Sequence, residues 1–167
     1  MQKPPPFSRI TPYGLYEGVL AEAIHLFKFH GVRRLSKPLA TLLLRLDIPR
    51  AEVIVPVPLS KKGLIKRGFN QSLLIAQVIA KQTGMHLSLD ALVKTKDTPP
   101  QIGLSARERL VNLRNAFQVR GDIRKLSFLL IDDVITTGAT VRECSKMLMK
   151  AGAKDVAVLA LARAPLL

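Results

Sequence analysis

Short apolar runs alternate along the chain with longer segments in which apolar residues recur at helical spacing. The runs suit buried strands, and the periodic segments suit helices that pack one face on a core. We predict strands at Val53–Val55, Leu89–Val93, Ala116–Val119, Phe128–Ile131 and Val156–Leu161. We predict helices at Tyr13–His30, Leu39–Leu46, Gln71–Thr83 and Ala139–Lys150.

Turn-forming residues support these boundaries. Pro56 and Pro58 end the first strand, because proline cannot donate to a sheet ladder. Asn70 can cap the helix that follows, and Gly84 can close it. Between Pro58 and Asn70 lies a basic segment, predicted as a loop, with Lys61, Lys62, Lys66 and Arg67.

The alternation of strands and helices from residue 53 onward predicts an α/β fold. Such βαβ units form a mainly parallel sheet flanked by helices. Residues 1–12 hold four prolines and predict an irregular lead-in, which leaves 13–167 as a single domain. The helices of residues 13–46 should cap or flank the sheet.

Net charge and composition limit the classes of ligand and metal site that the protein could have. The 167 residues include 26 Lys+Arg and 12 Asp+Glu, a net charge of +14, which predicts anionic ligands such as phosphorylated metabolites or nucleic acid. Cys144 is the only cysteine, and His25, His30 and His86 are scattered, so we predict no disulfide and no metal cluster. No apolar run reaches the roughly 20 residues of a membrane helix, and the default expectation is a cytoplasmic protein without membrane attachment.

The segment Leu129–Val141 carries the strongest chemical signal. A buried strand delivers Asp132 and Asp133 to its carboxyl end, where ligands bind in open α/β sheets. The loop that follows leads into a helix, whose N-terminal N–H groups favour phosphate. Its residues are Thr136, Thr137, Gly138, Ala139 and Thr140.

The acid pair must contact a part of the ligand other than the phosphate, because carboxylates would repel a phosphate. Asp132 and Asp133 can accept hydrogen bonds from the vicinal hydroxyls of a ribose, or lie near a hydrated Mg²⁺. Ordinary loop and N-cap roles are the alternative for these Asp and Thr residues. A phosphate cradle beside a diol acceptor matches ribose 5-phosphate.

This stretch resembles the 5-phosphoribosyl-1-pyrophosphate (PRPP) motif of type I phosphoribosyltransferases. The resemblance implies that Asp132 and Asp133 hold the ribose hydroxyls, that residues 136–140 hold the 5-phosphate, and that Mg²⁺ arrives with PRPP. Segments Val55–Leu59, Lys66–Ser72 and Thr98–Leu104 further resemble the ComF/GntX-like family, in the same order along the chain. The match spans about residues 13–163.

The resemblance assigns pyrophosphate binding to the loop after the first strand, with Val57, Pro58, Lys62 and Arg67 as its residues. Arg67 is the preferred ligand because guanidinium binds phosphate in a two-pronged manner, although a solvated surface role is equally compatible with the sequence. Phe69 is more consistent with a core anchor than with a ligand.

The polar stretch Lys94–Asn112 resembles the flexible catalytic loop of the superfamily. Arg107 and Arg109 could swing in to offset charge on the departing pyrophosphate, or could instead pair with surface acids such as Glu108. Lids of this kind often borrow residues across an interface, which leaves room for a homodimer.

The chain departs from the family pattern in three places. It lacks the usual cysteine-rich zinc ribbon, Gly63 stands where arginine is usual, and Lys94 stands where arginine is common. Lysine keeps the charge but loses the planar fork. Functions that depend on the ribbon are therefore open.

Three functions remain in competition. The first is transfer of a phosphoribosyl group from PRPP to an unidentified nitrogen acceptor, with release of pyrophosphate. The second is a competence or DNA-uptake protein that contacts single-stranded DNA electrostatically. Only 5% of the chain is aromatic, and Phe69, Phe117 and Phe128 are predicted core, so base stacking is disfavoured. The third is a PRPP sensor without turnover.

Overall fold

A parallel sheet of five strands forms the centre of the computed structural model, which describes residues 4–97 and 112–165. The strands are β1 (Arg9–Leu15), β2 (Val53–Pro56), β3 (His86–Leu87), β4 (Leu92–Lys94), β5 (Phe117–Val119), β6 (Ser127–Ile135) and β7 (Asp155–Arg163). The central sheet has the order β1-β7-β6-β2-β3, and β4 and β5 form a separate antiparallel pair. The predicted α/β class with a mainly parallel sheet is confirmed.

Helices cover both faces of this sheet. They are α1 (Gly18–Phe29), α2 (Ser36–Leu43), α3 (Lys61–Arg67), α4 (Gln71–Thr83) and α5 (Ala139–Lys150), with a short 3-10 helix at Arg33–Leu35. Apolar residues of α1, α2 and α4 pack on one face of the sheet, so the N-terminal helices flank it as predicted. Apolar residues of α5 and of the β4–β5 pair pack on the other face.

Strand β6 and strand β7 form the buried centre. Apart from their ends, nearly all of their residues are buried, which is the expected pattern for parallel strands covered on both faces. Both strands extend beyond the predicted runs, and β6 continues through the two aspartates to Ile135. The acid pair therefore lies inside a strand rather than in the loop after it.

The predicted helix over Tyr13–His30 is wrong at its start. Residues 9–15 instead form β1, which pairs in parallel with β7 and places Pro12 opposite Ala160. An edge strand tolerates a proline whose missing N–H faces away from the ladder. Leu15 and Val19, which the helical pattern assigned to the buried stripe, are exposed by 51% and 82%. The irregular lead-in predicted to residue 12 consequently ends before Arg9.

The basic segment after β2 also differs from its prediction as a loop. It forms α3, in which the Ser60 hydroxyl accepts a hydrogen bond from the Gly63 N–H, and Gly68 ends the helix with a φ of 73°. A Ser N-cap and a left-handed glycine define both ends of a short helix. The caps of α4 are as predicted, since Asn70 accepts from the Leu73 N–H and Gly84 has a φ of 74°.

Within the described residues, no helix combines the length and the apolar character that crossing a bilayer requires. The predicted core positions Phe69, Phe117 and Phe128 are buried, as is Cys144.

Candidate functional site

The turn between β6 and α5 lies at the carboxyl end of the central strand. Thr136 and Thr137 are exposed, and Gly138 has a φ of 74°, a left-handed conformation that glycine adopts without strain. The Gly138 carbonyl accepts from the Arg142 N–H at 2.9 Å and so opens α5. The Thr137 hydroxyl accepts from the Ala139 N–H at 3.4 Å.

This turn borders a shallow depression that is open to solvent. Helix α5 carries no acidic residue in its first turn, so nothing on the helix opposes an anion at its N-terminus. The N–H groups of a first helical turn lack intrahelical partners and can bind phosphate. The depression is lined by Asp132, Val134, Ile135, Thr136, Gly138, Ala139, Thr140 and Val141, a set that includes four of the five predicted phosphate-loop residues.

The two aspartates project from opposite faces of the sheet. Side chains alternate along a strand. Phe128 and Leu130 belong to the core beneath α5, whereas Leu129 and Ile131 belong to the core beneath α1 and α4. By this alternation Asp132 lies on the α5 face, where it lines the depression, and Asp133 lies on the other face.

Asp133 forms a buried ion pair. Its Oδ2 atom lies 2.8 Å from Lys28 Nζ and accepts from Gln71 Nε2 at 2.7 Å, with the carboxylate side chain only 5% exposed. Burial pushes the pKa of Asp133 upward, but the charge and hydrogen bond of Lys28 and the hydrogen bond of Gln71 outweigh it, so the pKa lies below its ordinary value. Asp133 is therefore an ionised, held carboxylate.

Asp132 has the opposite electrostatic character. Burial raises the pKa of Asp132, and the neighbouring negative charge of Asp133 raises it further, to about 7. The charges of Lys28 and Arg67 offset this only in part. Among the described residues Asp132 has no ion-pair partner, and its Oδ1 accepts from the Asp133 N–H at 2.9 Å. A ligand that brings a cation or a hydroxyl donor would stabilise the ionised form of such a carboxylate.

The loop after β2 runs beside the end of β6. The Val57 N–H donates to the Ile131 carbonyl at 2.9 Å, and Asn70 Nδ2 donates to the Val57 carbonyl at 3.0 Å. Val57, a predicted pyrophosphate-binding residue, is buried and has its backbone groups engaged within the protein, and Pro58 has no N–H to offer. These two residues position the loop, and an anion there would depend on the cations that follow.

Arg67, Lys94 and Lys62 are the cations that bear on the predicted pyrophosphate position. Arg67 ends α3, and its positive charge acts on both Asp132 and Lys94, which makes these three groups neighbours. Burial lowers the pKa of Lys94, and the charge of Arg67 adds a smaller decrease. Lys62 is exposed, with Nζ 3.9 Å from Asp97 Oδ2. The charge of Arg67 therefore reaches Asp132, whereas Lys62 is exposed and lies near Asp97.

Arg107 and Arg109 lie outside the described residues. Lys28 and Gln71 were missed by the sequence reasoning: Gln71 is 62 residues from its partner Asp133, and both positions appear as ordinary helix residues. A lysine between two phenylalanines in a largely apolar helical stretch is the signal that could have indicated Lys28.

The residues fit a Mg²⁺ that a polyphosphate brings with it. Within the described parts of the chain no three His, Cys, Asp or Glu side chains group together as a complete metal site. Mg²⁺ usually keeps several waters and uses one or two carboxylates together with substrate phosphates. Asp132 could supply such a carboxylate, whereas Asp133 is already occupied by Lys28.

Comparison with known proteins gives a consistent group of relatives. The chain is 36% identical to the DNA utilization protein YhgH of Salmonella typhi over 171 residues, which covers 98% of this chain and 75% of the relative. It is 33% identical to competence protein F of Haemophilus influenzae over 177 residues, covering 98% and 76%. No family model matches.

Among solved structures, the glutamine PRPP amidotransferase from B. subtilis, complexed with ADP and GMP, matches with a TM-score of 0.53 and 25% identity. The match covers 75% of this chain and 25% of that one. The sheet and helices described above are thus a phosphoribosyltransferase type I fold.

Proposed function

The chain belongs to the ComF/GntX-like family, and from that premise we propose that it binds PRPP and transfers its 5-phosphoribosyl group to a nitrogen acceptor. The observation that carries the proposal is the open turn Thr136–Thr140 at the N-terminus of α5, with Asp132 at its side. It offers donors for a phosphate and an acceptor for a ribose hydroxyl within one depression. The matched amidotransferase, whose name includes PRPP, supports the same ligand.

The geometry supports a different set of contacts for each part of PRPP. The turn would hold the 5-phosphate through α5 amides and threonine hydroxyls, and Asp132 would accept from the ribose diol. Arg67, Lys94 and Lys62 would surround the pyrophosphate, where they offset its charge. A bound Mg²⁺ would supply further neutralisation of that leaving group.

Transfer then requires no protein nucleophile. An acceptor nitrogen would attack C1 of the ribose as the C1–O bond breaks. Pyrophosphate would leave with the electron pair of that bond, and the acceptor would lose its N–H proton to solvent. Asp133, paired with Lys28, would hold the end of the strand in place. Asp132 would orient the sugar and, when ionised, offset the positive charge that develops on the ring. Catalysis would arise from positioning and electrostatics.

Titration calorimetry with PRPP and Mg²⁺ tests binding directly. We expect Asp132→Asn to weaken PRPP binding about tenfold or more, because the hydroxyl acceptor loses its charge. Asp155→Asn is the matched control, because Asp155 lies at the amino end of β7, where it pairs with Ser8. Absence of PRPP binding by the wild-type chain at millimolar ligand would overturn the proposal.

Pyrophosphate release across a panel of nitrogen heterocycles and amines tests turnover. Release with one acceptor class supports the transferase. Binding without release for every acceptor favours a PRPP sensor, for which Gly63 in place of the usual arginine provides a reason.

A second candidate function is handling of single-stranded DNA. The net charge of +14 and the names of the relatives, a DNA utilization protein and a competence protein, favour it. Here phosphates of the strand would use the same cations that surround the proposed pyrophosphate position.

A further inference from the structure

We propose that the exposed aromatic cluster of His25, Phe29 and His30, together with Arg67, is a stacking platform for a nucleobase. The inference rests on the proposed function, because the platform adjoins the proposed PRPP site and would present the base to it. The base has two candidate sources, a free heterocycle that acts as acceptor or a base of single-stranded DNA. Both present the same planar ring.

The cluster is built at the C-terminal end of α1. His25 lies one helical turn before Phe29, and their ring centroids are 5.0 Å apart with planes tilted by 46°. His30 follows the helix, with its ring 5.3 Å from that of His25. Phe29 is 55% exposed, and both histidines are exposed as well. One contiguous aromatic surface is therefore open to solvent.

Phe29 has no role in the core. Phe27, two residues earlier on the same helix, is fully buried and packs on Phe69 at 5.6 Å. That pair anchors α1 to the sheet face, and Arg33 covers the Phe69 ring at 5.0 Å. Phe29 points elsewhere and exposes half of a large apolar side chain. Its aromatic character consequently has no explanation in the packing of residues 4–97 and 112–165.

Two cations connect Phe29 to the candidate site. The Arg67 guanidinium lies 5.8 Å and the Lys28 ammonium 5.9 Å from the centroid of the Phe29 ring. Lys28 also contacts Asp133 at 2.8 Å, and the charge of Arg67 acts on Asp132. Lys28 is thus a single side chain between the Phe29 ring and Asp133, which lies on the same strand as Asp132 near the carboxyl edge of the sheet. A base held at this edge would lie on the α1 side of the proposed ribose position.

The chemistry of the cluster selects a nucleobase over other aromatic or apolar ligands. Stacking on an aromatic face is favourable for every base, and an arginine beside the ring adds a donor for ring nitrogens or carbonyl oxygens. Exposed imidazoles can donate or accept at the edge of the base. Lys28 and Arg67, the two cations beside the Phe29 ring, favour a ligand that carries phosphate and disfavour a basic peptide.

The test measures three affinities for the wild type, Phe29→Ala, Phe29→Trp and Leu89→Ala. They are the affinities for a fluorescent oligothymidine, for an abasic oligonucleotide of equal length, and for PRPP with Mg²⁺. Leu89 is the matched control because it is apolar and exposed by 61%. A panel of free purines and pyrimidines, titrated with PRPP present, separates the two sources of the base.

We expect Phe29→Ala to weaken binding of the base-containing ligand at least about fivefold, with Phe29→Trp close to wild type. Affinities for the abasic strand and for PRPP should change less than about twofold, as should every affinity of Leu89→Ala. Loss confined to the oligonucleotide assigns the base to DNA, and loss confined to a free base assigns it to the acceptor.

Other outcomes overturn the inference. Equal losses for the abasic and the base-containing strand would show that Phe29 acts only through charge or folding, as would a loss of PRPP binding in Phe29→Ala. Wild-type binding of PRPP without any base or oligonucleotide binding removes the platform and leaves the proposed function intact. If the wild type binds a base through Phe29 but does not bind PRPP, the platform stands and the proposed function fails.

Discussion

Asp132 and Asp133 are adjacent in sequence but differ in charge state, because the strand sends them to opposite faces of the sheet. Asp133 meets Lys28 and Gln71, which hold it as an anion. Asp132 is buried beside that anion without a cation of its own, and its pKa rises to about 7. The pair is therefore one fixed charge and one group whose charge responds to pH and ligand.

This difference predicts the pH dependence of stability. The unfolded chain releases the Asp132 proton near pH 3.8, whereas the native chain retains it to about pH 7. Between these values the native state binds more protons, so the free energy of unfolding falls as pH rises, and the penalty is complete above pH 7. We expect Asp132→Asn to be more stable than wild type at pH 8, by roughly 1–4 kcal/mol, and to lose this advantage near pH 4.

Urea unfolding at pH 4, 5, 6 and 8 measures the effect. Asp122→Asn is the control, because Asp122 is exposed and hydrogen bonds from Arg124 lower its pKa to about 2, outside this range. A constant difference between Asp132→Asn and wild type at all four values would show that the Asp132 carboxyl does not titrate there.

At the same scale, the sequence predicts the acids and the threonine-rich turn as candidate site residues but does not indicate the partners of the acids. Motif order along the chain identifies Asp132 and Asp133 because their chemistry is local to one segment. Lys28 and Gln71 reach Asp133 only through tertiary packing of α1 and α4 on the sheet. Phe29 was overlooked for the same reason, since helical periodicity does not reveal which of two nearby phenylalanines, Phe27 or Phe29, is buried.

At the scale of elements, the turn into α5 depends on one left-handed residue. Gly138 has a φ of 74°, and a Cβ added there would be 3.9 Å from its nearest neighbour, so Gly138→Ala introduces backbone strain without a clash. We expect a stability loss of about 1–2 kcal/mol. PRPP affinity should fall as well, at least about fivefold, because the strain is relieved by shifting the N–H groups that face the phosphate.

Gly84→Ala provides the matched control. Gly84 has the same φ of 74° at the end of α4, with no atom within 4 Å of an added Cβ. Thermal unfolding should show similar losses for the two variants, and calorimetry should show reduced PRPP affinity only for Gly138→Ala. Equal PRPP affinities in both variants would remove the turn from the binding site.

Prediction at this scale was accurate for the buried elements and wrong at the periphery. Continuous apolar runs located β2, β6 and β7, and caps located α4, because burial and capping leave local signatures. Strand β1 was not predicted because Pro12 and Gly14 interrupt its sequence pattern. It is an edge strand that pairs with β7. Helix α3 was not predicted because Gly63, Gly68 and several charged residues are typical of a loop. The N-cap residue Ser60 was the signal that could have indicated the helix.

At the scale of the whole molecule, the parallel sheet gathers distant segments at one edge. The turn after β6, the loop after β2 and the cation at the end of α3 come from different parts of the chain, yet they meet because parallel strands end on the same side. The fold class was predictable for that reason. The total charge of +14 was also visible in the sequence, but its distribution over the surface was not.

Salt dependence distinguishes a local cationic track from this overall charge. If single-stranded DNA uses the cations at the carboxyl edge, the plot of log affinity against log salt should have a slope of about −0.7 for each phosphate neutralised. Arg67→Gln should make the slope less negative by about 0.7. Arg9→Gln, which removes the same charge at the start of β1 where Arg9 pairs with Asp47, should leave the slope unchanged.

Fluorescence anisotropy with a labelled oligothymidine from about 50 to 200 mM salt measures both slopes, over the range in which such contacts weaken strongly. Both variants carry one positive charge fewer than the wild type, so a difference between them can arise only from position. Equal slopes in Arg67→Gln and Arg9→Gln would mean that the strand responds to the net charge alone. In that case the edge that holds the acid pair would not be the DNA-binding site.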